Sequence, residues 1–321
     1  MSANHVIVKV TTQHPAWPLL RQTPNGLGVW GRYRFVVNEP VEACDYWVVC
    51  DGLQTDEWTV CPPDNTIFVT WEPPAGVRPP YARRFTEQFG SVLTCHPSLR
   101  HSAVRRGQQG HPWFVGKSYD ELASHDLPAK SVPLVVISSD KAFAPGHRSR
   151  LDFALAVKEH FGADAQLVGR GIASFADKWD VLAPALYSLA IENAVYDDWM
   201  TEKLPDCFLA GAFPIYHGAP NASSYFAPDS FLQIDIRDVA ASLTSIERLL
   251  SDGQHYERAH HALVQARDTY LEELQLFPML AKLLDKIGER STVTQPGRTI
   301  LRPERLIEGV GVKLRRKLSR Q

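Results

Sequence analysis

Apolar residues fall along this chain in short, largely continuous runs: residues 5–11, 46–50, 66–70, 91–95, 133–138, 165–168, 187–191, 212–216 and 230–234. Such runs read as strands covered on both faces, the situation of a parallel sheet between helix layers. Stretches of helical character lie between several of them, at residues 80–89, 147–161, 201–210 and 239–250. Strands alternating with helices predict an α/β chain. A polar segment containing proline, residues 124–132, separates two such series and is read as the domain junction. The expected division is therefore residues 1–130, residues 131–290 and a tail of residues 291–321. Residues 255–287 read as a long helix, or a pair broken at Pro278.

The tail has a different character. From Arg298 to Gln321 it carries eight Lys or Arg against two Glu, and Leu306, Ile307, Val310, Leu314 and Leu318 can share one helical face. A basic amphipathic helix of this kind can lie on an anionic membrane surface, or dock on its own protein as a terminal helix. Over the whole chain charge is balanced, 34 basic residues against 36 acidic, which argues against a general polyanion or nucleic-acid binder. The five cysteines have no metal-knuckle or redox spacing and are read as reduced thiols. The first residues lack the features of a signal peptide, and no run approaches 18 apolar residues. The expectation is a cytoplasmic protein, peripheral at most on the inner face of a bacterial inner membrane.

The candidate chemistry concentrates between Ser188 and Ile236. The strand at 187–191 delivers Glu192 and Asn193 to its carboxyl end, where open α/β sheets bind ligands. Asp198-Trp199-Met200-Thr201-Glu202-Lys203 follows. Thr201 is placed to cap the next helix, with Pro205 in its first turn. The amides and dipole of such a helix start suit phosphate, and Lys203 adds a full charge. Glu202 would repel phosphate, so it is expected to accept hydrogen bonds from sugar or ribose hydroxyls. A second buried strand then ends in Tyr216-His217-Gly218-Ala219-Pro220, where Gly218 is expected to let the backbone turn close to a ligand.

In order and spacing this stretch resembles the C-terminal region of the family 10 α-1,3/1,4-fucosyltransferases. Four pieces carry the likeness: Ile191-Glu192-Asn193-Ala194, the Asp198–Lys203 hexapeptide, Phe213-Pro214-Ile215-Tyr216-His217-Gly218-Ala219-Pro220, and Phe226-Ala227-Pro228-Asp229-Ser230-Phe231. The family has Phe before Glu-Asn, Ser after it and Tyr at the place of Trp199. These departures bear on the donor sugar rather than on the diphosphate. Upstream, Ser138-Ser139-Asp140 followed by His147-Arg148-Ser149-Arg150 resembles the family's segment before an arginine that contacts the donor diphosphate. Arg148 matches that arginine, and Arg150 is the near alternative. Phe68-Val69-Thr70-Trp71-Glu72 resembles the strand that ends in the family's proposed catalytic glutamate.

The resemblance implies a GT-B architecture: two Rossmann-like domains facing each other across a cleft, with added C-terminal helices. It implies an inverting transfer of L-fucose from GDP-fucose to a hydroxyl of a glycan or lipid-linked glycan, such as a bacterial lipopolysaccharide. Glu72 would be the catalytic base, with its pKa raised by burial. Arg148, Glu192, Asn193, Trp199, Thr201, Glu202, Lys203, Tyr216 and Gly218 would bind the donor. No cofactor is implied, and without an Asp-x-Asp clamp no metal is required. Two other readings stand beside this one: a same-fold transferase using another nucleotide sugar, and a non-catalytic binder of sugar nucleotides or glycans. Gly26-Leu27-Gly28-Val29-Trp30-Gly31 fits a dinucleotide fingerprint by letter, but no strand immediately precedes it. Trp17, Trp30 and Trp113 are read as core residues that could alternatively stack on acceptor sugars.

Overall fold

The computed structural model describes residues 5–74, 81–124, 127–140, 145–288 and 297–304. The chain forms two compact units, Met1–Gln109 with Phe277–Gln321, and Gly110–Leu276.

The first unit is built on β1 (Val6–Thr12), β2 (Val29–Trp30), β3 (Tyr33–Val37), β4 (Tyr46–Cys50), β5 (Glu57–Cys61), β6 (Thr66–Val69), β7 (Ser91–Thr94) and β8 (Val104–Arg106). Seven of these form one sheet in the order β2-β3-β1-β4-β6-β7-β8. Every pairing is parallel except β2 with β3. The continuous apolar runs are explained by burial on both faces: every residue of β4 and β6 is buried. Trp47, Phe68, Phe85 and Val92 share one core cluster, with Phe85 supplied by the short helix α1 (Arg83–Thr86). Lys9 can lie inside β1 because its ammonium sits over the Trp47 ring at 4.2 Å and pairs with Glu57 at 2.8 Å. Gly26 and Gly28 lie in the turn before β2, and Gly31 in the turn between β2 and β3. Gly28 has φ +66°, and a β-carbon there would strike the Phe35 carbonyl.

The second unit contains α2 (Tyr119–Ser124), β9 (Val132–Ile137), α3 (Pro145–Phe161), β10 (Ala165–Val168), α4 (Lys178–Leu182), β11 (Ala185–Ile191), α5 (Lys203–Ala210), β12 (Phe213–His217), β13 (Leu232–Gln233), α6 (Val239–Ser251) and α7 (His255–Thr269). Its five strands are all parallel, in the order β10-β9-β11-β12-β13.

The units divide at Gln109 and Gly110 rather than at residue 130. Side chains of the second unit hold the intervening segment. The amides of Phe114 and Gly116 donate to the carboxylates of Asp206 (2.9 Å) and Asp177 (2.8 Å). Trp113 is buried there, its ring edge-on to Tyr270, so it packs the core. The expected long helix is divided by a π turn, Tyr270–Leu274. Pro278 does not break it, but lies in the first turn of α8 (Leu276–Gly288), where its missing N–H costs nothing. From Phe277 the chain belongs to the first unit. There Phe277 packs on Phe35, and Asp285 binds Arg32 and Tyr33 at 2.6 Å. The start of the tail is a strand, β14 (Gly297–Leu301), antiparallel to β5, and not a helix. Alternating burial of Thr299 and Leu301 accounts for it. The rest of the expected amphipathic helix, from residue 305 on, lies outside the described residues. Among the described residues no helix is long and apolar enough to cross a membrane. All five cysteines are buried, and none forms a disulfide.

Candidate active site

In the second unit the chain goes from β9 to β10 on one side and then returns to β11 on the other. Strand order reverses between β9 and β11, and ligands of open parallel sheets bind outside the carboxyl ends at such a point. A cavity of about 190 Å³ opens there. It is lined by Ser138 and Ser139 beyond β9, Gly169 and Arg170 beyond β10, Ile191 at the end of β11, Lys178 of α4, and Glu202, Lys203 and Asp206 around the start of α5. Gly169, at φ +138°, is required because a β-carbon would overlap the Ser138 carbonyl.

Glu192 organises this end of the sheet. Its buried carboxylate accepts from the Thr201 amide at 2.6 Å and hydroxyl at 2.8 Å, and meets the Lys203 ammonium at 3.2 Å. Thr201 therefore does not cap α5. The residue in that place is Glu202, whose side chain makes no capping bond. The Thr201 amide is also taken, so the expected free amide at this position is not offered to a ligand. Lys203 reaches back to the Thr201 hydroxyl at 2.8 Å and to Glu202 at 3.3 Å. Burial alone would lower Lys203, but Glu192 and Glu202 outweigh it and raise its pKa. Burial would likewise raise the Glu202 carboxyl, yet the ammoniums of Lys203 and Lys178 hold it well below the usual carboxylate range. Lys178 pairs with the buried Asp206 at 2.7 Å and lies 3.5 Å from Glu202.

Of the two arginine candidates, Arg148 is solvent-exposed and does not line the cavity. Arg150 does. Two residues on along α3, it is rotated onto the inner face, and its guanidinium donates to Asn193 Oδ1 at 2.8 Å and Ser139 Oγ at 3.0 Å. Both partners are neutral. Among the described residues no carboxylate forms an ion pair with Arg150, and its buried Nε has no hydrogen-bond partner. Burial lowers its pKa. Close approach of α3 to Asn193 depends on Gly146, where a β-carbon would overlap the Asn193 carbonyl.

Of the expected donor-binding residues only Glu202 and Lys203 line the cavity, and Trp199, Tyr216 and Gly218 are among those that do not. Trp199 is 3% exposed and edge-on to His111, so it offers no open stacking face. Tyr216 is buried and accepts from the Ala219 amide at 2.8 Å. Gly218 is needed for internal packing, since a β-carbon would overlap the Tyr216 phenol and crowd the Glu192 stem. Asp198 takes the left-handed conformation, φ 64°, and is held by reciprocal bonds of 2.8 Å with Asn221. Those bonds tie the 198–203 loop to the one after β12. Sequence reasoning missed Lys178 and Asp206. Asp206 stands one helical turn beyond Glu202, a legible spacing, whereas Lys178 carries no local signal.

Glu72 lies in the first unit, beyond the carboxyl end of β6. Its backbone is clamped: its amide donates to the Tyr81 phenol at 3.2 Å, and its carbonyl is 2.8 Å from His96 Nε2. Burial lowers His96, so the ring is neutral and carries its proton on Nε2, because a carbonyl only accepts. Tyr81 in turn donates to Asp51.

Two parallel α/β sheets, the second with a cationic cavity at its switch point, are the fold of the GT-B glycosyltransferases. A solved α1,3-fucosyltransferase superimposes with a TM-score of 0.53 at 15% identity, over 92% of this chain and 95% of that one. An α-glucosyltransferase in complex with UDP and DNA superimposes with 0.54 at 10% identity, over 88% and 99%. At these identities the likeness is one of fold. Residues 132–283 match the model of the C-terminal region of glycosyltransferase family 10 (fucosyltransferase). A segment of 54 residues is 44% identical to GDP-fucose protein O-fucosyltransferase 3 of Danio rerio, and one of 45 residues is 47% identical to that of Xenopus tropicalis. These segments are 17% and 14% of this chain but only 12% and 10% of those proteins.

Proposed function

We propose that this chain transfers L-fucose from GDP-fucose to a hydroxyl of a glycan, in a single displacement that inverts the anomeric carbon. The observation that carries the reading is the Arg150 guanidinium. It is partly buried at the β9–β11 switch point, without a carboxylate partner among the described residues, beside Lys203 and Lys178. A diphosphate is the ligand that such a group lacks, because a guanidinium donates two parallel hydrogen bonds to it. Glu192 and Asn193 support the site: one fixes Thr201 and Lys203, the other fixes Arg150. Glu202 meets the donor as an ionised hydrogen-bond acceptor, suited to hydroxyls.

In the reaction the bond from C1 to the β-phosphate oxygen breaks as the acceptor oxygen bonds to C1 from the opposite face. GDP leaves with the electron pair, and its growing charge is met by Arg150, Lys203 and Lys178. The acceptor's proton passes to the Glu72 carboxylate, whose backbone is fixed by Tyr81 and His96.

A panel of GDP-fucose, GDP-mannose and UDP-glucose tests the reading, with donor hydrolysis and transfer both measured. Turnover of GDP-fucose alone, giving a product anomer opposite to the donor's, is expected. Turnover of another donor instead selects a sibling transferase. Tight GDP binding with no turnover of any donor selects a binding protein.

A further inference from the structure

Lys130 stands in the segment that leads into β9 and does not line the cavity. Its Nζ donates to the Ala183 carbonyl at 2.8 Å and to the Ala210 carbonyl at 2.9 Å. Ala183 closes α4, and Ala210 is the last residue of α5. The final carbonyls of a helix have no partner within it and form the negative end of its dipole. One side chain therefore caps two helices at once. The segment around it is stitched to the same place, because the amides of Ser131 and Val132 both donate to the Pro184 carbonyl, at 2.8 and 2.9 Å. Tyr256 closes the far side: its hydroxyl donates to the Gly211 carbonyl at 2.7 Å, and its ring centroid is 5.9 Å from the Lys130 Nζ. Burial pushes the Lys130 ammonium down to about 7. Charged or neutral, the amine keeps an N–H for each carbonyl. A cation that its surroundings disfavour adds little to stability, so its service lies in what it holds together.

The two helices that end on Lys130 both begin in the cavity. Lys178 is the first residue of α4 and Lys203 the first of α5. Resting on the transferase reading above, we infer that Lys130 is a positioning residue for the donor diphosphate: it clamps the far ends of α4 and α5 and so fixes the spacing of Lys178 and Lys203. α4 has five residues and α5 eight, so at about 1.5 Å per residue they are rods about 8 and about 12 Å long. Over such lengths a shift at the tail is passed on to the head. The like charges of Lys178 and Lys203 oppose each other. Glu202 and Asp206 hold the heads together, and Lys130 holds the tails. Lys130 itself touches no donor atom and acts only through the helices.

The test titrates the full chain with GDP, inorganic pyrophosphate and guanosine, with Tm measured in parallel. Lys130→Met keeps the apolar stem and removes the donors. It should weaken GDP and pyrophosphate about tenfold, the effect of displacing charged contacts by a fraction of an ångström to an ångström. Guanosine affinity should stay within twofold, and Tm should change little. Lys130→Arg, which still donates to two carbonyls, should recover most of the loss. GDP affinity within twofold of the original, or an equal loss for guanosine, overturns the inference. If Lys130→Met does not fold, Lys130→Gln is read in the same titrations, with the same order of effects and a smaller loss. Failure of that variant to fold as well assigns Lys130 to stability alone and overturns the positioning role. An original chain that binds neither GDP nor pyrophosphate overturns the transferase reading and this inference with it. Normal GDP binding by both the original chain and Lys130→Met overturns the inference alone.

Discussion

The two sheets present the same geometric opportunity and fill it with opposite chemistry. Each reverses strand order once, between β1 and β4 in the first unit and between β9 and β11 in the second. At the first point stand aromatic rings, an Asp51–His14 pair and, nearby, a groove rich in carboxylates. At the second stand Arg150, Lys178 and Lys203, each held by a carboxylate or an amide. Topology sets where a ligand can sit, and the residues beyond each strand end decide its charge. Carboxylates dominate the groove near the first point, and cations stand out in the cavity at the second.

Experiments can break this contrast, beginning with the largest effect. Glu72→Gln removes a proton acceptor from the first unit and should lower transfer by about 10³-fold. GDP affinity, read by calorimetry, should not change. Parallel loss of GDP binding would mean that Glu72 serves the donor. Arg150→Ala strikes the second unit and should weaken GDP binding by about 10- to 100-fold, the worth of hydrogen bonds to a charged group. Arg148→Ala, two residues away on the exposed face of α3, should stay within twofold in the same titration. The reverse ranking would restore Arg148 as the diphosphate ligand.

Gly218→Ala tests whether that glycine serves packing or ligand contact. The new methyl would press on Tyr216 and Glu192, costing about 1–3 kcal/mol of stability and lowering Tm by several degrees. An unchanged Tm with weakened GDP binding would place the glycine at the ligand after all. The smallest effect is one of pH. Glu202 is held below its ordinary value of 4.5 by Lys203 and Lys178 despite burial. Its stabilising contribution is complete above that value and is lost as pH falls towards the depressed one. The urea midpoint should therefore fall more between pH 5 and pH 3 for the original chain than for Glu202→Gln. Equal slopes would show that the three charges are not coupled.

Much of the second sheet is legible in the order of residues alone, because strands buried on both faces leave continuous apolar runs. The run at 165–168 coincides with β10, and that at 187–191 falls inside β11. The same logic places Glu192 and Asn193 at a strand end, and the ends of β9 and β11 do frame the cavity. Other contacts have no local signature. Choosing Arg150 over Arg148 needs the rotation of α3 relative to Asn193. The unit boundary at Gly110 needs Asp177 and Asp206 to be seen reaching the chain at 114–116.

By itself the sequence determined the strands that are buried on both faces and which residue types gather beyond them, because burial leaves a pattern over a few neighbours, whereas the half-exposed β5, β8 and β14 left none that was read. Only the tertiary structure decided which of those residues point inward, which carboxylate neutralises which cation, and which guanidinium is left with neutral partners. Those outcomes depend on packing between segments dozens of residues apart, and no local pattern encodes that distance.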